Sequence, residues 1–344
     1  MKKGNKYGTH RVIEPQGVLT QAALKINNDM DIYDNEILVD VQALNIDSAS
    51  FTQIEREANG DVEKIKTKIM SIVKERGKMQ NPVTGSGGMF IGTVEKIGEA
   101  LKDRDLKVGD KIASLVSLSL TPLRIDEIVN VKPEIDRVEI KGKAILFESG
   151  IYAKLPSDMS ETLALAALDV AGAPAQTAKL VKPGQSVLVL GAAGKSGMLC
   201  CYEAMKRVGP TGRVLALVRK EEQAKKLKAW GLCHEAVLAD ATRPMDVLNK
   251  TLEANNGKEV DISISCVNIQ NTEMSCILPV RDDGIVYFFS MATSFTKAAL
   301  GAEGVGKDVT MIIGNGYTKD HAEITLAELR ESETIRKIFE GLYL

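Results

Sequence analysis

The chain of 344 residues is long enough for two domains of ordinary size, and its 44% hydrophobic and 26% charged residues place it in the soluble globular class. A formal net charge of −2, with no block of like charge, argues against nucleic acid or an anionic membrane surface as the principal partner. The basic opening lacks the apolar stretch of a signal peptide, and no apolar run approaches the roughly 18 residues of a membrane span; five cysteines without metal-ligand spacing fit a reduced, cytoplasmic protein.

From about Arg11 to Leu155 the apolar residues alternate in short runs. In residues 36–44, Ile37, Val39, Val41 and Ala43 recur with the period of a half-buried strand, interrupted by Leu38. Residues 90–98 and 109–120 read in the same way, with Gly109-Asp110 as a turn. Between these runs, residues 61–76 form a charged helix with Val62, Ile65, Ile69 and Val73 on one face. The first half is therefore β-rich.

From Ser186 onward, strands alternate with helices: strand 186–190, helix 195–208, strand 213–218, helix 221–230, strand 235–239, helix 245–254, strand 260–267, helix 272–278, and strands 284–290 and 308–314. Near-continuous apolar strands in a β-α alternation predict an α/β fold with a doubly wound parallel sheet of about six strands, the Rossmann arrangement. Residues 320–344 read as helical.

The first strand-to-helix junction carries Gly191, Gly194 and Gly197, with Lys195 and Ser196 opening the helix. Glycines allow a tight turn and close approach of backbone amides to a pyrophosphate, and a helix N-terminus adds unpaired N–H groups and partial positive charge. The alternative is a packing turn without ligand. A P-loop is excluded, because Val189 stands where its first glycine belongs. At the end of the second strand, Arg219 and Lys220 replace the acid that would bind a free ribose diol, which favours NADP, with NAD as the alternative. Val267, Asn268, Ser290 and Ala292 follow the late strands, where the sheet's carboxyl edge meets ribose and nicotinamide.

The segments EILVDVQALNIDSASF, GGMFIGTVEKIG with LKVGDKIA, and KLPSDMSETLALAALDVAGAPAQTAKLVKPGQSVLVLGAAGKSG stand in the order of the landmarks of the medium-chain dehydrogenase/reductase superfamily, which the chain resembles over most of its length. The resemblance implies a β-rich GroES-like substrate and catalytic domain (residues 1–155 and 320–344) and a Rossmann dinucleotide-binding domain (residues 156–319). Zinc enzymes of that superfamily place a Cys where this chain has Asp47, and a Gly-His-Glu where it has Gly87-Gly88-Met89. Their third ligand position falls near Ala166, and no Cys precedes position 200. One carboxylate without His or Cys partners does not hold a catalytic zinc, so no metal is expected.

The stretch KYGTHRVIEPQGVLTQAALKINND, with LDVAGAPAQT and NGYTKDHAEITLAELR, is similar to the family of L-erythro-3,5-diaminohexanoate dehydrogenases of bacterial lysine fermentation. That resemblance, which covers essentially the whole chain, implies NAD(P)-linked oxidative deamination of the diamino acid to 5-amino-3-oxohexanoate. The substrate rests on the resemblance alone.

Without zinc, such chemistry needs a positioned proton acceptor and fixed negative charge for a dicationic substrate. Asp47, in the vacated ligand position that faces the nicotinamide in relatives, either pairs with the reacting amine as base or is an Asx-type turn residue. Ser48 would bind substrate or a relayed water. Asp169, beside the nicotinamide-contacting position Val170, either holds an ammonium group or caps the following helix. Glu148 reads as a solvated strand residue, and Arg124 is a candidate for the substrate carboxylate without a spacing argument. His10, His234 and His321 stand singly, and Cys200 and Cys201 read as core. The competing readings are a zinc-independent quinone or enoyl reductase, with an apolar pocket, and a cofactor-binding protein without turnover. A homo-oligomer, dimer or tetramer, is expected from the resemblance.

Overall fold

Alternation in the first half of the chain builds one antiparallel sheet, and βα alternation in the second half builds one parallel sheet. The computed structural model describes residues 2–314 and 316–343, and the chain divides into two units, Met1–Ser157 and Asp158–Leu344.

In the first unit a small hairpin of β1 (Val12–Glu14) and β2 (Lys25–Ile26) precedes β3 (Glu36–Ile46), α1 (Ser48–Glu57), α2 (Val62–Arg76), β4 (Gly88–Ile97), β5 (Lys111–Ser114), β6 (Leu123–Lys132), β7 (Arg137–Phe147) and β8 (Tyr152–Lys154). The sheet runs β6-β7-β3-β4-β5-β8, so β3 lies between β7 and β4. Ile37, Val39, Val41 and Ala43 are fully buried, as their alternation requires. Leu38, the exception, is buried on the other face against Met30, Ile145 and Phe147. The charged helix is α2: Asp61 Oδ1 accepts from the N–H groups of Glu63 and Lys64, and Gly77 closes the helix at φ 73°. Ile65, Ile69 and Val73 are buried beneath it, whereas Val62 is exposed.

The strand expected over residues 109–120 stops at Ser114. Beyond it, hydroxyls compete with the ladder: Ser119 Oγ donates to Ser117 Oγ at 2.8 Å and Thr121 Oγ1 to the Ser117 carbonyl at 3.0 Å, folding the chain into a turn.

A buried ionic knot fastens the segment ahead of β3. Arg11, 2% exposed, donates from Nε and NH2 to the two oxygens of the fully buried Glu36, each at 2.7 Å. Its remaining donors reach the carbonyls of Asp29 (2.6 Å) and Asp31 (2.8 Å). His10 Nε2 lies 2.8 Å from Glu36 Oε1, and the Tyr33 N–H donates to Oε2 at 2.9 Å. Burial pushes the Glu36 carboxyl up, but the bonds from Arg11, His10 and Tyr33 outweigh it and hold the pKa down to about 2.

The second unit begins with α3 (Glu161–Leu168) and α4 (Gly172–Leu180). It continues through β9 (Ser186–Leu190), α5 (Lys195–Val208), β10 (Arg213–Val218), α6 (Glu221–Ala229), β11 (Glu235–Leu238), α7 (Pro244–Ala254), β12 (Val260–Ser265), α8 (Glu273–Ile277), β13 (Val280–Phe288), α9 (Phe295–Val305) and β14 (Val309–Ile313). Its parallel sheet has the order β11-β10-β9-β12-β13-β14, reversing direction of winding beside β9. That is the doubly wound topology, and ligands of such sheets sit at the carboxyl edge where the winding reverses.

Two further helices, α10 (His321–Glu331) and α11 (Glu333–Tyr343), pack on α3, α4 and α5 in this unit. Residues 320–344 are expected from the sequence in the β-rich domain; the two helices instead lie in the second unit. Their apolar stripe of Leu326, Leu329, Ile335 and Phe339 is buried here, and Thr325 Oγ1 donates to the Ala171 carbonyl at 3.3 Å. Glu328 on α10 is fully buried, and neither of its carboxylate oxygens has a hydrogen-bond partner among the described residues. Burial, then the neighbouring Glu203, drives its pKa well above the usual carboxylate range, which favours the neutral acid.

Candidate functional site

The glycine turn joins β9 to α5. Gly191 adopts φ +74°, and a Cβ there would lie 2.9 Å from the Val267 nitrogen and 3.0 Å from the Cys266 carbonyl carbon. At Gly197 a Cβ would come within 2.2 Å of the Gly191 carbonyl oxygen. These two glycines are demanded by the chain's own packing. Gly194 differs: it is exposed, its φ of −82° suits any residue, and the nearest atom to a Cβ is 3.4 Å away. Nothing in the chain's own packing requires a glycine there. The helix behind it has no side-chain cap, so the N–H groups of its first turn, Ser196 and Gly197 among them, are left for a partner outside the helix. The turn therefore fits a pyrophosphate.

This contrast yields a prediction. Gly197→Ala is expected to destabilise the fold by about 1–3 kcal/mol or more, because the clash is with backbone. Gly194→Val is expected to leave the thermal midpoint nearly unchanged while abolishing dinucleotide binding. Thermal melts and cofactor fluorescence titration on both variants check it; equal behaviour of the two would refute the distinction.

Asp169 is drawn to the same turn. It ends α3 and caps no following helix; its Oδ2 accepts from Lys195 Nζ at 2.5 Å. Val267 packs over Gly191, and Asn268 follows it, exposed, in the loop after β12. The Ser290 N–H donates to the Ser265 carbonyl at 3.1 Å, tying the end of β13 to β12, and Ser290 Oγ accepts from the Ala292 N–H at 3.2 Å. Arg219 and Lys220 lie exposed at the end of β10, the strand beside β9. The expected cofactor residues thus share the carboxyl edge of one sheet. Asp240, at the end of the next strand, has its pKa lowered by hydrogen bonds from Thr242, with Arg243 and Arg219 adding to the effect. A second arginine, which the sequence reading passed over, therefore stands in this basic group.

The other expected residues belong to the first unit. Asp47 precedes α1, yet its side chain makes no cap. Instead Oδ2 accepts from the Gly87 N–H at 3.1 Å, and the register pairs Ile46 with Gly88. The fold thus sets Asp47 beside Gly87 and Gly88, which the sequence reading linked to it across 40 residues. Close approach explains Gly88: at φ +111°, a Cβ would lie 2.0 Å from the Asn45 carbonyl oxygen. Ser48 Oγ donates to Asp136 Oδ2. Asp136 was missed; it is held at φ 53° in the turn between β6 and β7, and only recognition of that hairpin would have found it.

The remaining candidates have structural partners. Glu148 accepts from Asn35 Nδ2 at 2.9 Å, and Arg124 donates to Asp126 at 3.0 Å on an exposed strand. His10 belongs to the ionic knot, and His234 Nδ1 accepts from the Val214 N–H at 2.9 Å. His321 is buried, and burial lowers its pKa. Cys200 and Cys201 are buried in α5, and burial raises both thiols well above their usual range.

Residues 10–156 match the family described as the L-erythro-3,5-diaminohexanoate dehydrogenase N-terminal domain. Over 343 residues the chain is 75% identical to L-erythro-3,5-diaminohexanoate dehydrogenase of Acetoanaerobium sticklandii, covering 99% of this chain and 100% of that one. The corresponding protein of Fusobacterium nucleatum is 74% identical over 345 residues, with both chains covered in full. Among solved structures, mycobacterial Rv1454c complexed with NADPH superposes with a TM-score of 0.53 at 18% identity, over 90% of this chain and 84% of that one. The last likeness establishes a shared fold.

Proposed function

Because the chain belongs to the family of L-erythro-3,5-diaminohexanoate dehydrogenases, we propose that it catalyses the NAD(P)-dependent oxidative deamination of L-erythro-3,5-diaminohexanoate to 5-amino-3-oxohexanoate and ammonium, as a step of anaerobic lysine fermentation. The observation that carries this reading is similarity along the full length, including the turn that fits a pyrophosphate. A nicotinamide dinucleotide bound there supplies the hydride acceptor.

The chain's own residues divide the work. The open N-terminus of α5 and Gly194 hold the pyrophosphate, with Lys195 as neighbouring cation and Val267, Asn268, Ser290 and Ala292 lining the carboxyl edge. Asp47 acts as proton acceptor for the reacting ammonium: the Gly87 N–H fixes Oδ2, while Oδ1 has no partner among the described residues. Ser48 lies next to it and, through its bond to Asp136, brings a second carboxylate to the substrate's positive charge. Asp169 supplies negative charge at the dinucleotide turn. No step calls on a metal, since Asp47, Gly87-Gly88-Met89 and Ala166 stand where zinc relatives carry their ligands.

The enzyme works in the cytoplasm as a homo-oligomer. Exposed apolar residues on and beside α9 and β14, among them Phe295, Leu300, Val305 and Ile313, support self-association. Sedimentation should give a dimer or tetramer.

Arg219 and Lys220 support NADP over NAD. The expected result is a lower KM for NADP, and a rise of about tenfold in that KM, but not in the KM for NAD, on Arg219→Ala. A strong preference of the unaltered enzyme for NAD would sink the assignment. The function itself is tested by following reduced-cofactor absorbance and ammonium release with the diamino acid and each dinucleotide. No signal with the diamine, together with oxidation of NADPH by a quinone, would turn the reading to a quinone reductase.

A further inference from the structure

A hollow of about 480 Å³ opens on one face of α1, lined by Ser48, Ala49, Thr52, Gln53, Arg56 and Glu57. We propose that it is the subsite for the substrate's carboxylate, with Arg56 as the residue that selects a diamino acid over a plain diamine. This extends the proposed deamination and rests on it.

Helix geometry arranges the face. Ser48, Thr52 and Arg56 are spaced four apart, so they follow one another along α1 over about 12 Å. Long helical side chains lean toward the N-terminus, which inclines the guanidinium toward Thr52, one turn nearer Ser48 on the wall of the same hollow. The hollow's other charge is already committed. Glu57 accepts from Lys68 at 2.9 Å and from Gln53, and the Gln53 carbonyl accepts from Asn81 at 2.7 Å. Neither the Arg56 guanidinium nor the Thr52 hydroxyl has a partner among the described residues.

The face thus offers hydrogen-bond donors at one end and, with Asp47 and Asp136, carboxylates at the other. A ligand matching that polarity carries an anion and a cation separated by a few bonds, as a β-amino acid does. A quinone offers acceptors to the donor end but no cation for the carboxylates, and a plain diamine offers only the cation. Arg124, the sequence-based candidate for this role, is held by Asp126. An Arg-carboxylate contact is a planar, paired hydrogen bond that Lys reproduces only in part.

The test is steady-state kinetics of Arg56→Met and Arg56→Lys with L-erythro-3,5-diaminohexanoate and with 2,4-diaminopentane, its analogue without the carboxylate. Arg56 is exposed, so both variants should fold, and a thermal melt verifies this. For R56M the KM for the diamino acid is expected to rise roughly 10- to 100-fold, with kcat changed less than about threefold. R56K should recover part of the loss. The unaltered enzyme should use the diamine poorly, and R56M should use it no worse. Unchanged kinetics with the diamino acid would overturn the assignment. A rise confined to the dinucleotide KM would also overturn it, giving Arg56 to the cofactor. If the unaltered enzyme does not oxidise the diamino acid, the parent reading fails before any variant is compared.

Discussion

Replacing Asp47 with Asn is expected to lower kcat by about 10²- to 10⁴-fold, the range that loss of a positioned general base produces. Dinucleotide affinity should stay within the error of measurement, because the turn that fits a pyrophosphate is built from residues 191–197 and does not involve Asp47. The substitution is chosen for its economy. Asn keeps an oxygen for the Gly87 N–H, so the junction of β3 and α1 persists, while the ability to accept a proton from the substrate ammonium is lost. Asp47 is exposed and makes no cap for α1, so the melting temperature should barely move. Single-turnover measurements with saturating dinucleotide separate this step from binding. An unchanged kcat would remove Asp47 from the chemistry and leave it a turn residue.

The largest effect on stability is expected at Glu36. Its removal by Glu36→Ala leaves Arg11 buried without a counter-charge, which typically costs about 3–5 kcal/mol. The loss should spread to the segment ahead of β3, since the carbonyls of Asp29 and Asp31 depend on the same guanidinium. The pH dependence has a definite sign. The folded pKa lies near 2, below the ordinary glutamate value of 4.5, so this stabilisation is complete above about pH 5 and is lost as pH falls toward 2. Urea melts between pH 7 and pH 3 should show the unaltered protein losing stability steeply on acidification and E36A losing less. Parallel curves would show that the knot contributes nothing through ionisation.

What could be read from the sequence was local. The alternation of Ile37, Val39 and Val41 and the β-α periodicity after Ser186 depend on neighbours two to four residues away, and the corresponding elements are present. The glycine turn was legible because strand, turn and helix lie together in the chain. Asp47 beside Gly87-Gly88 was legible only through family resemblance, as was the substrate. The hairpin β6–β7 escaped notice because its residues are interspersed with charges that pair across strands, such as Lys132 with Glu139 and Lys141 with Glu127. A ladder stabilised by cross-strand ion pairs leaves little apolar alternation to find. The bonds Ser48–Asp136, Asp169–Lys195 and Arg11–Glu36 join residues 88, 26 and 25 positions apart. No local pattern marks such partners. Residues 320–344 were legible as helix, but an apolar stripe does not say which surface it will cover.

The solitary carboxyl of Glu328 couples folding to proton uptake. The unfolded chain gives up that proton near pH 4.5, whereas the folded chain retains it far higher, facing Glu203, Lys206 and Arg207 from α5 and Glu331 from its own helix. Between those limits rising pH progressively weakens the fold around Glu328. Glu328→Gln should flatten the alkaline side of a plot of melting temperature against pH, and an unchanged slope would assign the effect elsewhere. Alkaline buffer would then loosen first the helical cover over α5, the helix whose opposite end carries the turn that fits a pyrophosphate.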